Sequence, residues 1–171
     1  GSAFKEAQDR MLEVLLAQDD DQMLYNFRAA SGLDTKDAPQ MIGWDTPDSK
    51  LRGHTTGHYL SALALCYAAT GNEKIKEKAV YMIEELAKCQ EAFGKLGTCH
   101  KGFLSAYDET QFDLLEKFTP YPEIWAPYYT LHKIMAGLLD CFEYVGIKEA
   151  YNIVDQLGDW VYARLSRLDN K

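Results

Sequence analysis

The chain has 171 residues, 47% of them hydrophobic, and its 18 Lys and Arg against 26 Asp and Glu leave a formal charge of −8. That length supports one domain with a sizeable core, and an acidic chain with no basic run excludes a nucleic-acid partner. Lys, Asp or Glu interrupts even the most apolar stretches before they reach the roughly 20 residues a bilayer requires, so no membrane partner is expected.

Gly1-Ser2 reads as the remnant of a cleaved tag and leaves the compartment unassigned. From Ala3 to Gly32 two helices are predicted. The first places Met11, Leu12, Leu15 and Leu16 on one face; Asp19-Asp20-Asp21 caps the second, over Gln22 to Ala30, and Ser31-Gly32 ends it. Residues 33–58, rich in Asp, Pro and Gly, read as a long loop. A first hairpin follows over 59–91. Tyr59 to Thr70 carries no charge and should be covered on nearly every side, whereas Glu73 to Glu91, after the break at Gly71-Asn72, shows one apolar stripe of Ile75, Ala79, Met82, Ile83 and Leu86. Residues 92–127 read as a second long loop. The hairpin then recurs over 128–168: Tyr128 to Val145 is apolar, Gly146 breaks it, and Ile147 to Leu168 is amphipathic through Ala150, Val154, Leu157, Val161 and Leu165. With the two breaking glycines aligned, Cys66 falls on Cys141 and Ala62 on Gly137, so the hairpin is a repeated unit. Such units bury their inner faces only beside other units, as in helical toroids. The fold class is therefore all-α, with both long loops at the end where a ligand would bind.

Chemistry concentrates in those loops. His54 and His58 have the i, i+4 spacing that zinc accepts, but Gly57 should interrupt the turn and no third ligand is fixed by spacing, so no metal is expected; His58 instead opens the inner helix and offers a ring nitrogen to a cleft. His132 lies one turn into the second inner helix, after Trp125, Tyr128 and Tyr129. Gly102 to Tyr107 reads either as a buried loop strand or as a further cleft wall. Carboxylates such as Asp45, Asp48, Asp108, Glu109 and Glu123 are plentiful, but an acid/base pair is defined by separation in space. The four cysteines have no Cys-x-x-Cys spacing; Cys66 and Cys141 read as small buried hydrophobes, and whether Cys89 and Cys99 pair is left open.

Gly43-Trp44-Asp45, the run Leu51-Arg52-Gly53-His54-Thr55-Thr56-Gly57-His58-Tyr59-Leu60-Ser61-Ala62-Leu63-Ala64, Gly102-Phe103-Leu104-Ser105-Ala106, and Trp125 through Asp140 together resemble the bacterial β-L-arabinofuranosidases of glycoside hydrolase families 127 and 146. The resemblance runs in order from about Gly43 to Leu168. It implies an (α/α)6 barrel built of such hairpins, with a central cleft for a terminal arabinofuranose that is cleaved with retention by a cysteine held on zinc through three Cys and one Glu. Those ligands lie on later barrel helices, within Glu-x-Cys and Cys-Cys motifs that this chain does not contain. The resemblance thus assigns this chain no catalytic residue and no cofactor of its own, zinc being expected in a full-length enzyme. It matches His132 to a sugar-contacting histidine and makes His58, Tyr107 and Trp125 its cleft neighbours. The expected role is a fragment supplying part of a carbohydrate-binding cleft, self-associating through exposed hairpin edges. The alternatives are a non-catalytic helical-hairpin binding module, or another toroid enzyme such as a sugar epimerase or unsaturated-uronide hydrolase.

Overall fold

The computed structural model describes residues 2–168, and every regular element among them is a helix. Gly1 lies outside the described residues; Ser2 caps α1 (Ala3–Ala17) by accepting the Lys5 amide. Of the predicted α1 stripe only Leu15 is fully buried, and Met11 is exposed. Asp19 accepts the amides of Asp21 and Gln22 and starts α2 (Asp20–Ser31), which seats Leu24 and Phe27 in the core.

The first hairpin is α3 (His54–Thr70) and α4 (Glu73–Lys95), joined through Gly71 and an Asn72 whose side chain accepts the Lys74 and Ile75 amides. The α4 stripe is buried as predicted, and it continues through Cys89 and Phe93, which carries the helix a turn past Glu91. The second hairpin is α6 (Pro127–Asp140), a π-turn over Cys141–Val145, and α7 (Lys148–Leu165). In α7 the buried face is rotated from the predicted one: Trp160 and Arg164 turn inward and Leu165 is 41% exposed. The cause is α5 (Thr110–Glu116), a short helix inside the second long loop that sequence reading missed. Arg164 is buried against Glu109, Asp113 and Glu116, while the Glu109 carboxylate also accepts the Trp160 indole N–H at 2.9 Å and the His100 amide at 2.6 Å. A buried carboxylate with this many donors pins the loop to α7.

The inner helices α3 and α6 run parallel in close contact, because their pairings advance together along both chains. Gly53 lies against Thr130 and Gly57 against Lys133 and Ile134; further along, Leu60 meets Gly137 and its carbonyl accepts from the Cys141 thiol at 3.6 Å. A Cβ on Gly57 would overlap the backbone of Lys133 and Ile134, and one on Gly137 would overlap the Gly57 carbonyl. This corrects the predicted loop over 33–58: Gly57 does not break the turn but sits inside α3, where its missing side chain admits α6. The loop ends at Gly53, whose φ of +100° suits glycine. The uncharged α3 is covered on only part of its circumference, since His58 and Leu65 form an exposed strip. Parallel inner helices put the N-termini of α3 and α6, and the loops before them, on one rim.

Candidate functional site

The N-terminus of α3 is capped from a distance. Asp45, buried in the single 3₁₀ turn Gly43–Asp45, accepts the Gly53 amide at 2.7 Å and the Thr55 hydroxyl at 2.5 Å, which sets a carboxylate at the positive end of the helix dipole. Its own carbonyl accepts from the buried Asn26 side chain at 2.7 Å, which fixes the turn to α2. The Nδ1 of His54 stands 2.8 Å from the Leu51 carbonyl and 3.2 Å from the second Asp45 oxygen. Both neighbours are acceptors only, so Nδ1 carries the hydrogen, and in the neutral ring Nε2 keeps its lone pair for an incoming donor. Asp45→Ala removes both the cap and one of the two acceptors that set the tautomer. The expected cost is about 1–2 kcal/mol of stability, with a mixture of His54 tautomers in the ¹⁵N spectrum; an unchanged spectrum would show that Leu51 alone fixes the ring.

Around His54 the two inner helices gather a compact group. The rings of His54 and His58 meet edge to face with centroids 6.2 Å apart, Tyr129 from α6 lies 6.2 Å from His54, and the Lys133 ammonium stands 5.1 Å over the Tyr129 ring. Partial desolvation, then the positive charges of Lys133 and His54, hold the His58 imidazole below its ordinary value against the weaker pull of Asp45. At neutral pH His58 is therefore uncharged and able to accept as well as donate. Lys133→Ala removes one of the opposing charges, so NMR titration is expected to show His58 gaining its proton at higher pH than in the parent protein. A shift downward would mean that Lys133 does not act on it.

Beside this group, Trp44, Leu51, His54, Trp125, Ala126 and Tyr129 enclose a hollow of about 280 Å³. Three larger grooves lie elsewhere, of about 410 Å³ beside the end of α7, about 460 Å³ between α4 and α7 and about 400 Å³ where α1 and α2 meet α4. In each of them a lysine or arginine is already engaged, Arg164 with three carboxylates, Lys95 with Glu91 at 2.6 Å and Lys78 with Asp20 at 3.0 Å, whereas the smaller hollow gathers aromatic rings around the His54 imidazole. The smaller hollow is thus the better candidate.

Of the residues singled out from sequence, His58 is exposed within the imidazole group and Trp125 lines the hollow. His132 is exposed on the same rim. It lies beside Lys133 in α6, about 60° around the helix from Tyr129, and no ring contact with His54, His58 or Tyr129 is present among the described residues. Tyr107 is 2% exposed, its ring under the Arg52 guanidinium at 5.1 Å, and its hydroxyl has no hydrogen-bond partner among the described residues. Sequence reading missed Asp45, Trp44, Tyr129 and Lys133 as site residues. Tyr129 and Lys133 carry an i, i+4 signal matching that of His54 and His58, but Asp45 acts across a loop and leaves no spacing to read. All four cysteines are free. Burial lifts the Cys89 thiol to about 11 and that of Cys141 to about 12, and no set of three or more His, Cys, Asp or Glu groups gathers around a metal position among the described residues. These side chains do not fit the zinc centre that the resemblance implies.

No helix among the described residues is long and apolar enough to cross a membrane. No curated protein matches the chain. A family model described as the β-L-arabinofuranosidase GH127 catalytic domain matches residues 1–171. With two hairpins whose inner helices run parallel, and with this match over its length, the chain belongs to the GH127 β-L-arabinofuranosidase catalytic-domain family, an (α/α)6-barrel fold.

Proposed function

We propose that the described residues form one wall of the sugar-binding cleft of a β-L-arabinofuranosidase, and that the cysteine, glutamate and zinc of its catalytic centre are supplied by parts of the enzyme other than these residues. The observation that carries this reading is the convergence of His54, His58, Tyr129 and Lys133 from two parallel inner helices onto one rim beside an aromatic hollow. Imidazole nitrogens that donate and accept suit the hydroxyls of a furanose, and ring faces suit its C–H surface. In this reading His58 and Trp125 meet the sugar directly, His132 reaches it from the adjacent face of α6, and Tyr107 supports Arg52 from behind.

The test is steady-state kinetics of the full-length enzyme on β-L-arabinofuranosides. His58→Ala and His132→Ala are expected to raise KM at least tenfold with correctly folded protein; loss of activity without any change in substrate affinity would defeat the positioning role. The scattered cysteines favour one second reading, a module that binds sugar without turnover, and product formation by the described chain alone would remove it. The same reading keeps self-association through the edge of the second hairpin, where Leu139, Phe142 and Tyr151 are exposed. Light scattering at rising concentration is expected to show species larger than a monomer.

A further inference from the structure

We infer that the outer wall of the domain carries a second carbohydrate site, a valley between α4 and α7 that takes an acidic glycan, a polymer of uronic acid residues. This goes beyond the cleft reading above and does not depend on it, since the valley lies on the second helices of the hairpins and uses none of the side chains gathered at the rim.

The two grooves beside α7 are one valley. Lys101 lines both the groove of about 460 Å³ between α4 and α7 and that of about 410 Å³ at the end of α7. Together they follow α7 from Glu149 to Ala163, about 21 Å of helix. The floor is fixed. Gln90, 5% exposed, donates its side-chain amide to the Gly102 carbonyl at 2.9 Å and to the Ile153 carbonyl at 3.0 Å, and a Cβ on Gly102 would overlap the Gln156 carbonyl. His100 is held twice by the buried Glu109 carboxylate, through its amide at 2.6 Å and its ring Nδ1 at 2.8 Å. With Nδ1 committed, Nε2 is the nitrogen this 78% exposed side chain has left for a ligand. A fixed floor loses little freedom on binding.

The mixture of charges in the lining selects the occupant. Lys95, Lys101 and Arg167 supply cations, while Glu149 and Asp159 stand among them as acceptors. Among the described residues Lys101 pairs with no carboxylate, and the Lys95 pair with Glu91 joins side chains 73% and 68% exposed, so little is lost when Lys95 turns to a ligand. A dense polyanion such as polyphosphate would be repelled by Glu149 and Asp159, and a neutral glycan would gain nothing from the cations. A uronate ring answers both, with one carboxylate for a lysine or arginine and hydroxyls to donate to the acidic side chains and to His100. The chain carries −8 overall, but at physiological salt each charge acts over about 8 Å, so the cations beside the ligand decide. A long open valley suits a polymer, whose successive weak contacts add up.

The test is calorimetric titration of the full-length enzyme, at physiological ionic strength, with a galacturonate pentamer and with its fully methyl-esterified form, which keeps the rings and removes the charges. The acid form is expected to bind, and the ester to bind at least tenfold more weakly. Lys101→Glu and, separately, Lys95→Glu should each weaken the acid form at least tenfold while leaving kcat/KM for methyl β-L-arabinofuranoside unchanged. In the unaltered protein the acid form should also shift the ring signals of His100. Equal binding of acid and ester, undiminished binding in both variants, or no binding of the acid form would overturn the inference. Binding of poly-L-glutamate as tight as that of the pentamer would overturn it too, by marking a general surface for acidic chains. An enzyme that binds the pentamer but is inactive on arabinofuranosides would defeat the cleft reading and support this one.

Discussion

Gly57→Ala is expected to destabilise the protein by about 3 kcal/mol, and Gly57→Val to leave little folded material. In a helix interior the exchange of glycine for alanine normally stabilises by roughly 0.5–1 kcal/mol, because alanine has less backbone freedom to lose. Here the sign reverses. The added carbon would occupy the space of the Lys133 and Ile134 backbone, which has no flexible end to swing aside, so α3 and α6 must separate. Overpacking costs about 1–3 kcal/mol where side chains can yield and more where they cannot. Gly137→Ala pushes the same two helices apart from the other side and should behave alike. Gly158, inside α7 with nothing near its absent Cβ, is the control: Gly158→Ala should stabilise by about 0.5–1 kcal/mol. Urea titrations of the three variants decide the matter, and a stabilised Gly57→Ala would refute the tight crossing. The crossing also serves the site, because separation of the helices draws Lys133 away from His58, whose imidazole should then protonate at higher pH in whatever fraction of the variant folds.

That crossing also marks how far the sequence could be read. The buried stripe of α4 and the breaks at Gly71 and Gly146 follow from local periodicity and turn chemistry, and the structure reproduces them. Gly57 is a different case: local rules treat a glycine near a helix start as a break, whereas its reason lies 77 residues away in the backbone of Ile134. Local signals place the start of α3 late for a related reason: its cap is no neighbouring Ser, Thr or Asp but Asp45, reaching across a loop. Without that start, sequence alone leaves His54 in a loop and gives no sign of the four-membered group with His58, Tyr129 and Lys133. The buried face of α7 was shifted by Arg164, a charge that pattern reading assigns to solvent and that three carboxylates draw inward. The rim could be read because aromatic and histidine side chains crowd the ends of two uncharged helices; its internal arrangement could not, because long-range contacts set it.

Breaking the buried ion pair between α2 and α4 should be equally damaging. Arg28, 1% exposed, reaches Glu85 at 2.6 Å and Asp21 at 2.7 Å, and the Tyr81 hydroxyl lies 3.1 Å from the same guanidinium. Burial alone would lower the Arg28 value, but hydrogen bonds to Glu85 and Asp21 outweigh it and raise it, so the guanidinium stays charged at any accessible pH. Arg28→Met leaves the Glu85 carboxylate only the more exposed Lys88 and Lys36, and Glu85→Leu leaves the buried guanidinium only Asp21 and the Tyr81 hydroxyl; each is expected to cost about 3 kcal/mol. The double variant should cost clearly less than the sum of the two, since both single variants lose the same Arg28–Glu85 contact. The pair also sets a pH dependence. Burial by itself would raise the Glu85 value, yet hydrogen bonds from Lys88, Arg28 and Lys36 bring it down to about 2, below the ordinary glutamate value of 4.5. A carboxylate depressed in the folded state adds stability that is complete above the unfolded value and is lost as pH falls through the folded one. The contribution of Glu85, on the order of 3 kcal/mol, is thus present above pH 4.5 and disappears between 4.5 and about 2. In Glu85→Gln, denaturant midpoints measured across that window should fall less steeply with acid than in the parent protein, whereas parallel curves would show that another carboxylate carries the acid response.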